Sequence, residues 1–209
     1  MTSDPAYEAI CKAKRQAESA NVEGALKTLE DYLATDPHNV KPRLQLANII
    51  FYHLKDVGYG KMQLDIVLDL EPDNLEAMKA FVTVMSQYKK YNDETDAMFA
   101  RLLEREPSSE MYNMYAVFLR KQICDFERSA QYYEKAISMN PGCYDYHLNY
   151  AVLLLNDIRD YVKAKEELEL LLEMRPGEIK IQQNYDRLMK SKFDKNGNVK
   201  KKRFSFSHR

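Results

Sequence analysis

The sequence predicts an all-α chain, an α-solenoid of about five helix-turn-helix repeats closed by a C-terminal capping helix. Three observations carry that prediction. Prolines recur at Pro37, Pro72, Pro107, Pro141 and Pro176, with intervals of 35, 35, 34 and 35, a constant period of the kind that stacked supersecondary units produce. Glycine and proline number only 6 and 7 in 209 residues, too few for a sheet protein with many tight turns. Apolar residues recur at fixed offsets from each proline and lie one helical turn apart.

Each element follows from its residues. The N-terminal "SDP" is a helix start, with Ser3 or Asp4 as cap and Pro5 in the first turn. Twelve residues before the prolines stand Ala25, Gly60, Thr95, Ser129 and Ala164, all small, as two closely crossing helices require. Eight before come Leu29, Leu64, Phe99, Tyr133 and Leu168, and four before come Leu33, Leu68, Leu103, Ile137 and Leu172, which make one stripe. Twelve after the prolines, Ile49, Val84, Leu119, Leu153 and Leu188 supply the core side of the other helix. Short turns such as "NDIRDY" and "CDFERS" join the two helices of a unit. Proline ends one unit and presets the first turn of the next, as in "DPHN", "EPDN", "EPSS" and "NPGC".

These offsets resemble tetratricopeptide repeats. The unit "RDYVKAKEELELLLEMRP" is the nearest match, with Tyr161, Ala164 and Leu168 in the family's places, and "DFERSAQYYEKAISMNP" follows with Phe126, Tyr133 and Ala136. The resemblance covers roughly residues 5 to 192 and implies a right-handed solenoid over 1–193, followed by a basic flexible tail over 194–209. It departs from the family pattern in having no Trp, in Lys12 where a large apolar residue is usual, and in a fourth unit shifted by one residue, so that Ala116 rather than Val117 matches Ala47 and Ala151. The helix after Pro176, "GEIKIQQNYDRLMKSKF", has no partner in sequence and is expected to cover the exposed end of the last repeat.

Composition excludes several classes of function. No apolar run approaches the ~18 residues of a membrane span, and the N-terminal stretch lacks a signal peptide's apolar core. That argues for a cytoplasmic location, or a nuclear one in a eukaryote. Cys11, Cys124 and Cys143 have unrelated spacings and read as packing or surface thiols. His38, His53, His147 and His208 lack metal-site or catalytic companions, and no phosphate-binding glycine loop is present. The expectation is therefore a non-enzyme with no cofactor and no metal. "DKNGN" at Asp194 starts like a calcium loop, but Val199 and Ser205 stand where a glycine and a bidentate acid are needed. It reads instead as a turn, with Asn196 and Gly197 in the left-handed conformation.

A solenoid of this kind implies a groove lined by the first helices that holds a peptide or partner segment, so the chain is expected to act as a protein-interaction scaffold or adaptor. Periodicity places Asn48, Tyr52, Lys79, Thr83, Gln87, Asn149, Asn156 and Arg187 in that groove, with Asn113 and Lys121 from the shifted unit. Asparagine suits the role because its amide donates to and accepts from a peptide backbone. The subtype that clamps the C-terminal carboxylate of cytosolic chaperones is not matched: Asn48 fits, but Leu44, Ala80, Met111 and Tyr115 replace its other ligands.

The net charge of −1 divides into +7 from residue 190 onward and −8 before it. An acidic body argues against RNA reading by the repeats. The tail residues Lys200, Lys201, Lys202 and Arg203, followed by Phe204 and Phe206, suit a weak contact with RNA or an acidic surface, and a ribosome- or nucleic-acid-associated factor anchored by this tail is the alternative reading.

Overall fold

A computed structural model describes residues 4–200. Among them the chain is all-α, with eleven α-helices: α1 Pro5–Glu18, α2 Val22–Thr35, α3 Val40–Ile49, α4 Val57–Leu70, α5 Leu75–Met85, α6 Asn92–Arg105, α7 Ser109–Phe118, α8 Phe126–Met139, α9 Tyr144–Leu153, α10 Tyr161–Met174 and α11 Ile179–Lys192. They pair as hairpins in chain order, and α11 packs on α10. By compactness the helices fall into two units, Met1–Glu106 and Pro107–Arg209.

Three first helices run on through a π-helical turn, Ile50–Leu54 after α3, Leu119–Ile123 after α7 and Leu154–Ile158 after α9. Each π turn ends on one residue in the left-handed region, at Lys55 (φ 58°), Cys124 (φ 61°) and Arg159 (φ 64°), and Ala20 (φ 63°) does the same after α1. The next residue is always an Asp or Asn that caps the second helix. Asn21 accepts from Gly24 N, Asp56 from Tyr59 N, Asp125 from Arg128 N and Asp160 from Lys163 N, at 2.9–3.1 Å. Reversal of the chain thus costs one strained residue and gains one cap, effects of about 1–2 and about 1 kcal/mol. The third unit does it differently, through a 3-10 turn at Lys89–Tyr91.

Behind each turn the two helices cross at the small column. Ala25, Thr95, Ser129 and Ala164 are fully buried, and a Cβ on Gly60 would lie 2.3 Å from the Phe51 ring. Ser129 Oγ donates to Ala116 O across the crossing at 2.8 Å. Leu29, Leu64, Phe99, Tyr133 and Leu168 are all buried beside it. Of the column four before the prolines, only Leu33 and Leu103 are buried, because the core face rotates toward Val67, Leu102, Ala136 and Leu171 one residue earlier. In α5 the core position is filled by Met85, and Val84 is half-buried. The shift of the fourth unit has a local cause: α7 starts two residues after its proline, capped by Ser108, whereas α3, α5 and α9 start three after theirs. Ala116 is accordingly buried and Val117 is not.

The proline turns are tethered by side chains from neighbouring helices. Arg43 donates to Pro37 O (2.6 Å) and Gln63 Oε1 (2.8 Å), and Arg101 donates to Pro72 O (2.7 Å). The buried His147 lies 3.0 Å from Pro141 O and 2.7 Å from Glu167. These contacts occupy carbonyls that the broken helix leaves without an intrahelical donor.

At the C-terminal end α11 buries Ile181 and Leu188 in the core of its unit, and Phe193 follows them in. Residues 194–200, expected to be flexible, fold back instead. Phe193 pairs with Val199, Lys200 N donates to Lys192 O (2.7 Å), and the Asp194 carboxylate accepts from Asn196 N and Asn198 N. Those backbone donors, Asn198 first, hold the Asp194 carboxyl below its usual range. The turn needs only one left-handed residue, Gly197 (φ 79°), and Asn196 does not share that conformation. Lys201, Lys202, Arg203, Phe204 and Phe206 lie outside the described residues.

Three substitutions test this account by thermal unfolding. Gly60→Ala forces a methyl into Phe51 and should destabilise by about 1–3 kcal/mol. Lys55→Gly relieves the left-handed residue and should stabilise by about 0.5–1 kcal/mol. Thr95→Val removes a buried hydroxyl that has no hydrogen-bond partner among the described residues, and should stabilise by about 1 kcal/mol. A chain of this length moves by about 2–4 °C per kcal/mol. A neutral Gly60→Ala would show that the crossing is not close.

Candidate functional site

The ten groove residues expected from periodicity divide five and five between the two units. In the first unit, Asn48 is half-buried on α3 and Tyr52 is exposed on the π turn that follows. Lys79 is already engaged, with its Nζ 2.7 and 2.8 Å from the two carboxylate oxygens of Glu106. Thr83 is half-buried, and its carbonyl accepts from Gln87 Nε2 at 3.2 Å. Gln87 is not on a helical face at all. The helix α5 ends at Met85, without the π turn that lengthens α3, α7 and α9, so the fifteenth residue after Pro72 falls in the connecting turn.

The second unit assembles more. A seam of polar contacts joins α7 to α9 along their length. Tyr146 Oη lies 3.4 Å from Ser109 Oγ, Asn149 Nδ2 donates to Asn113 Oδ1 at 3.2 Å, and Arg120 Nε donates to Asp157 Oδ2 at 2.5 Å. The partners are 36 or 37 residues apart and belong to consecutive repeats. The middle contact unites two of the expected residues, Asn113 and Asn149. Lys121 is exposed beside Arg120 and takes no part in the seam. Repeat arithmetic would not have found Arg120 and Asp157, which stand 37 residues apart against a proline period of 34 or 35.

Asn156 stands two turns beyond Asn149, and with Arg187 it lines a pocket of about 490 Å³ between the π turn after α9 and the helix α11. Asn184 lines it as well. That residue was missed, although it follows Pro176 by eight as Asn149 follows Pro141. On the second-helix side, Tyr150 donates to Glu134 Oε1 (2.6 Å), which also accepts from Lys163 (3.1 Å). Burial first, then Glu134, pushes the Tyr150 phenol up, and the bond from Tyr150 lowers the Glu134 carboxyl. This knot fixes α9 against α8 and α10 and so holds the seam in register.

No group of three or more His, Cys, Asp or Glu is placed to hold a metal ion among the described residues. No described helix is long and apolar enough to cross a membrane.

No family model and no curated protein matches the chain. Solved structures do. MamA residues 41 to the end from Desulfovibrio magneticus RS-1 superposes with a TM-score of 0.73 at 18% identity, covering 85% of this chain and 99% of that one. A tetratricopeptide repeat protein from Parabacteroides merdae superposes with a TM-score of 0.74 at 14% identity, covering 90% and 73%. A MamA structure designated AMB-1 gives 0.68 at 18%, covering 82% and 92%. The chain therefore has the tetratricopeptide-repeat fold, as its repeat offsets imply.

Asn113 and Asn149 are both half-exposed, so water replaces their mutual bond when one is truncated. Asn113→Ala and Asn149→Ala should each destabilise by less than about 1 kcal/mol, measured by urea unfolding. A loss of several kcal/mol would make the pair a structural element of the hairpin stack.

Proposed function

We propose that this chain is a non-catalytic protein-interaction scaffold that holds a peptide segment of a partner along the first-helix face of its second unit. The observation that carries the reading is the contact between Asn113 and Asn149. Their single bond leaves most of the donors and acceptors of two amides unused, on half-exposed side chains of adjacent first helices. Asn156 continues the row two turns on, and Asn184 stands at the same register on α11. Amides spaced by one repeat suit a backbone, whose own donors and acceptors alternate, and they demand no particular side chain. The tetratricopeptide-repeat fold supports the scaffold class through its architecture alone.

The experiment is capture of partners from native lysate by the full chain and by the double variant Asn113→Ala, Asn149→Ala. Desolvated amides are worth about 1–3 kcal/mol to a bound peptide, so the variant should lose five- to 150-fold in affinity for whatever the full chain retains, with its helical signal unchanged. Equal capture by both would move the binding surface elsewhere.

A further inference from the structure

The pocket between the π turn after α9 and α11 is lined by three cations, Arg159, Arg187 and Lys192, and by no carboxylate. The acids nearest in sequence are occupied elsewhere. Asp157 is held by Arg120 (2.5 Å), Asp160 caps α10 at Lys163 N (3.1 Å), and Asp186 accepts from Gln182 (2.9 Å). None of the three cations has a carboxylate partner among the described residues. Arg187 donates only to Asn184 Oδ1 (3.1 Å), and Lys192 Nζ lies 4.8 Å from the centre of the Tyr161 ring. The cations continue into the basic segment from residue 190 onward, whose Lys200 folds back onto Lys190 and Lys192. Arg159 and Arg187 are exposed and Lys192 is half-buried, and three like charges on one concave surface attract an oxyanion from solution.

We propose that this pocket receives the carboxylate side chains of an acidic peptide segment, two or more Asp or Glu within a few residues. The proposal rests on the peptide-binding reading of the same face and names the chemistry at one end of the peptide. Size selects carboxylates in number over a single phosphate. A volume of about 490 Å³ is that of a pocket for a drug-sized ligand, far larger than one tetrahedral ion, and its cations come from three positions, Arg159 on the turn and Arg187 and Lys192 on α11. Two guanidinium groups each offer a fork that fits one carboxylate, Lys192 offers a third charge, and Asn156 and Asn184 supply amides between them. Arg159 is positioned by the turn itself, at a left-handed residue where glycine would be the easier choice.

That last feature supplies a test immune to misfolding. Arg159→Gly relieves the backbone at the turn while deleting one pocket cation, so its unfolding midpoint should not fall. The probes are a tetraglutamate peptide, its tetraglutamine counterpart and inorganic phosphate. They are titrated at low salt into the full chain carrying Lys201→Gln, Lys202→Gln and Arg203→Gln, which weakens the tail's own attraction to acids. Binding is read from the arginine Nε–Hε resonances. Tetraglutamate should shift the signals of Arg159 and Arg187, tetraglutamine should not, and Arg159→Gly should weaken tetraglutamate about tenfold. Equal binding by Arg159→Gly, or equal shifts from tetraglutamine, overturns the proposal, and so does phosphate competing as well as the peptide, since that marks a site for a lone anion. The variant Asn113→Ala, Asn149→Ala should still bind tetraglutamate. Failure of the pocket is thereby distinguished from failure of the wider peptide face, which is read from partner capture.

Discussion

Everything in this chain depends on how tightly two helices can be folded back on one another. In four of the five hairpins the reversal uses a left-handed residue and an acid or amide that caps the second helix, and in all five a residue no larger than threonine stands where the helices cross. Ala20-Asn21, Lys55-Asp56, Cys124-Asp125 and Arg159-Asp160 meet the first two demands, and Gly60, packed under Phe51, shows how little room the third leaves. Each of these four turns is strained by a residue that is not glycine, and burial of Leu29, Leu64, Tyr133 and Leu168 behind them outweighs that strain at about 1.5–3 kcal/mol per side chain. Once the hairpins close, the first helices of consecutive repeats are left side by side. Their facing residues, Asn113 with Asn149 and Arg120 with Asp157, then meet without further design.

Much of this architecture can be read in the sequence because it repeats. The proline period marks the unit ends, the small column marks the crossings, and even the one-residue slip at Ala116 is visible. Features that occur once, or that depend on three-dimensional continuation, are not. Nothing in "IIFYHL" or "LLLNDI" announces a π turn, and α1 reaches its left-handed residue, Ala20, without one. The absence of such a turn after α5 is what removes Gln87 from a helical face. Met85 takes the core position beside the buried Phe81 and Val82, and Val84 does not. The fold-back at residues 193–200 looked like the start of a flexible tail because its anchor, Phe193, sits outside the repeat register.

The candidate site was legible in part. Offsets chose Asn113 and Asn149 singly, and the structure unites them across one repeat. The same offsets chose Asn156 and Arg187, which meet at one pocket with Arg159, Asn184 and Lys192. Asn184 lay at one of those offsets and was passed over, whereas Arg159 and Lys192 fall at none of them, one on the turn and one at the end of α11. In the first unit, Lys79 is already paired with Glu106, which leaves Asn48 and Tyr52 as its available polar groups on the corresponding face. The fold supplies a frame for many ligands. On the proposed reading, the chemistry that discriminates among them is that of the asparagine row and of the cations at its end.

The central claim, that a partner lies along the first-helix face of the second unit, is tested most directly by amide hydrogen exchange of the full chain with and without its captured partner. Helices that contact the partner exchange more slowly, because the local openings that expose their amides become rarer. The account predicts added protection in α7, α9 and α11, including the π turns at 119–123 and 154–158, with α8 and α10 little changed. Protection concentrated in α8 and α10, with α7 and α9 exchanging as in the free chain, would contradict it.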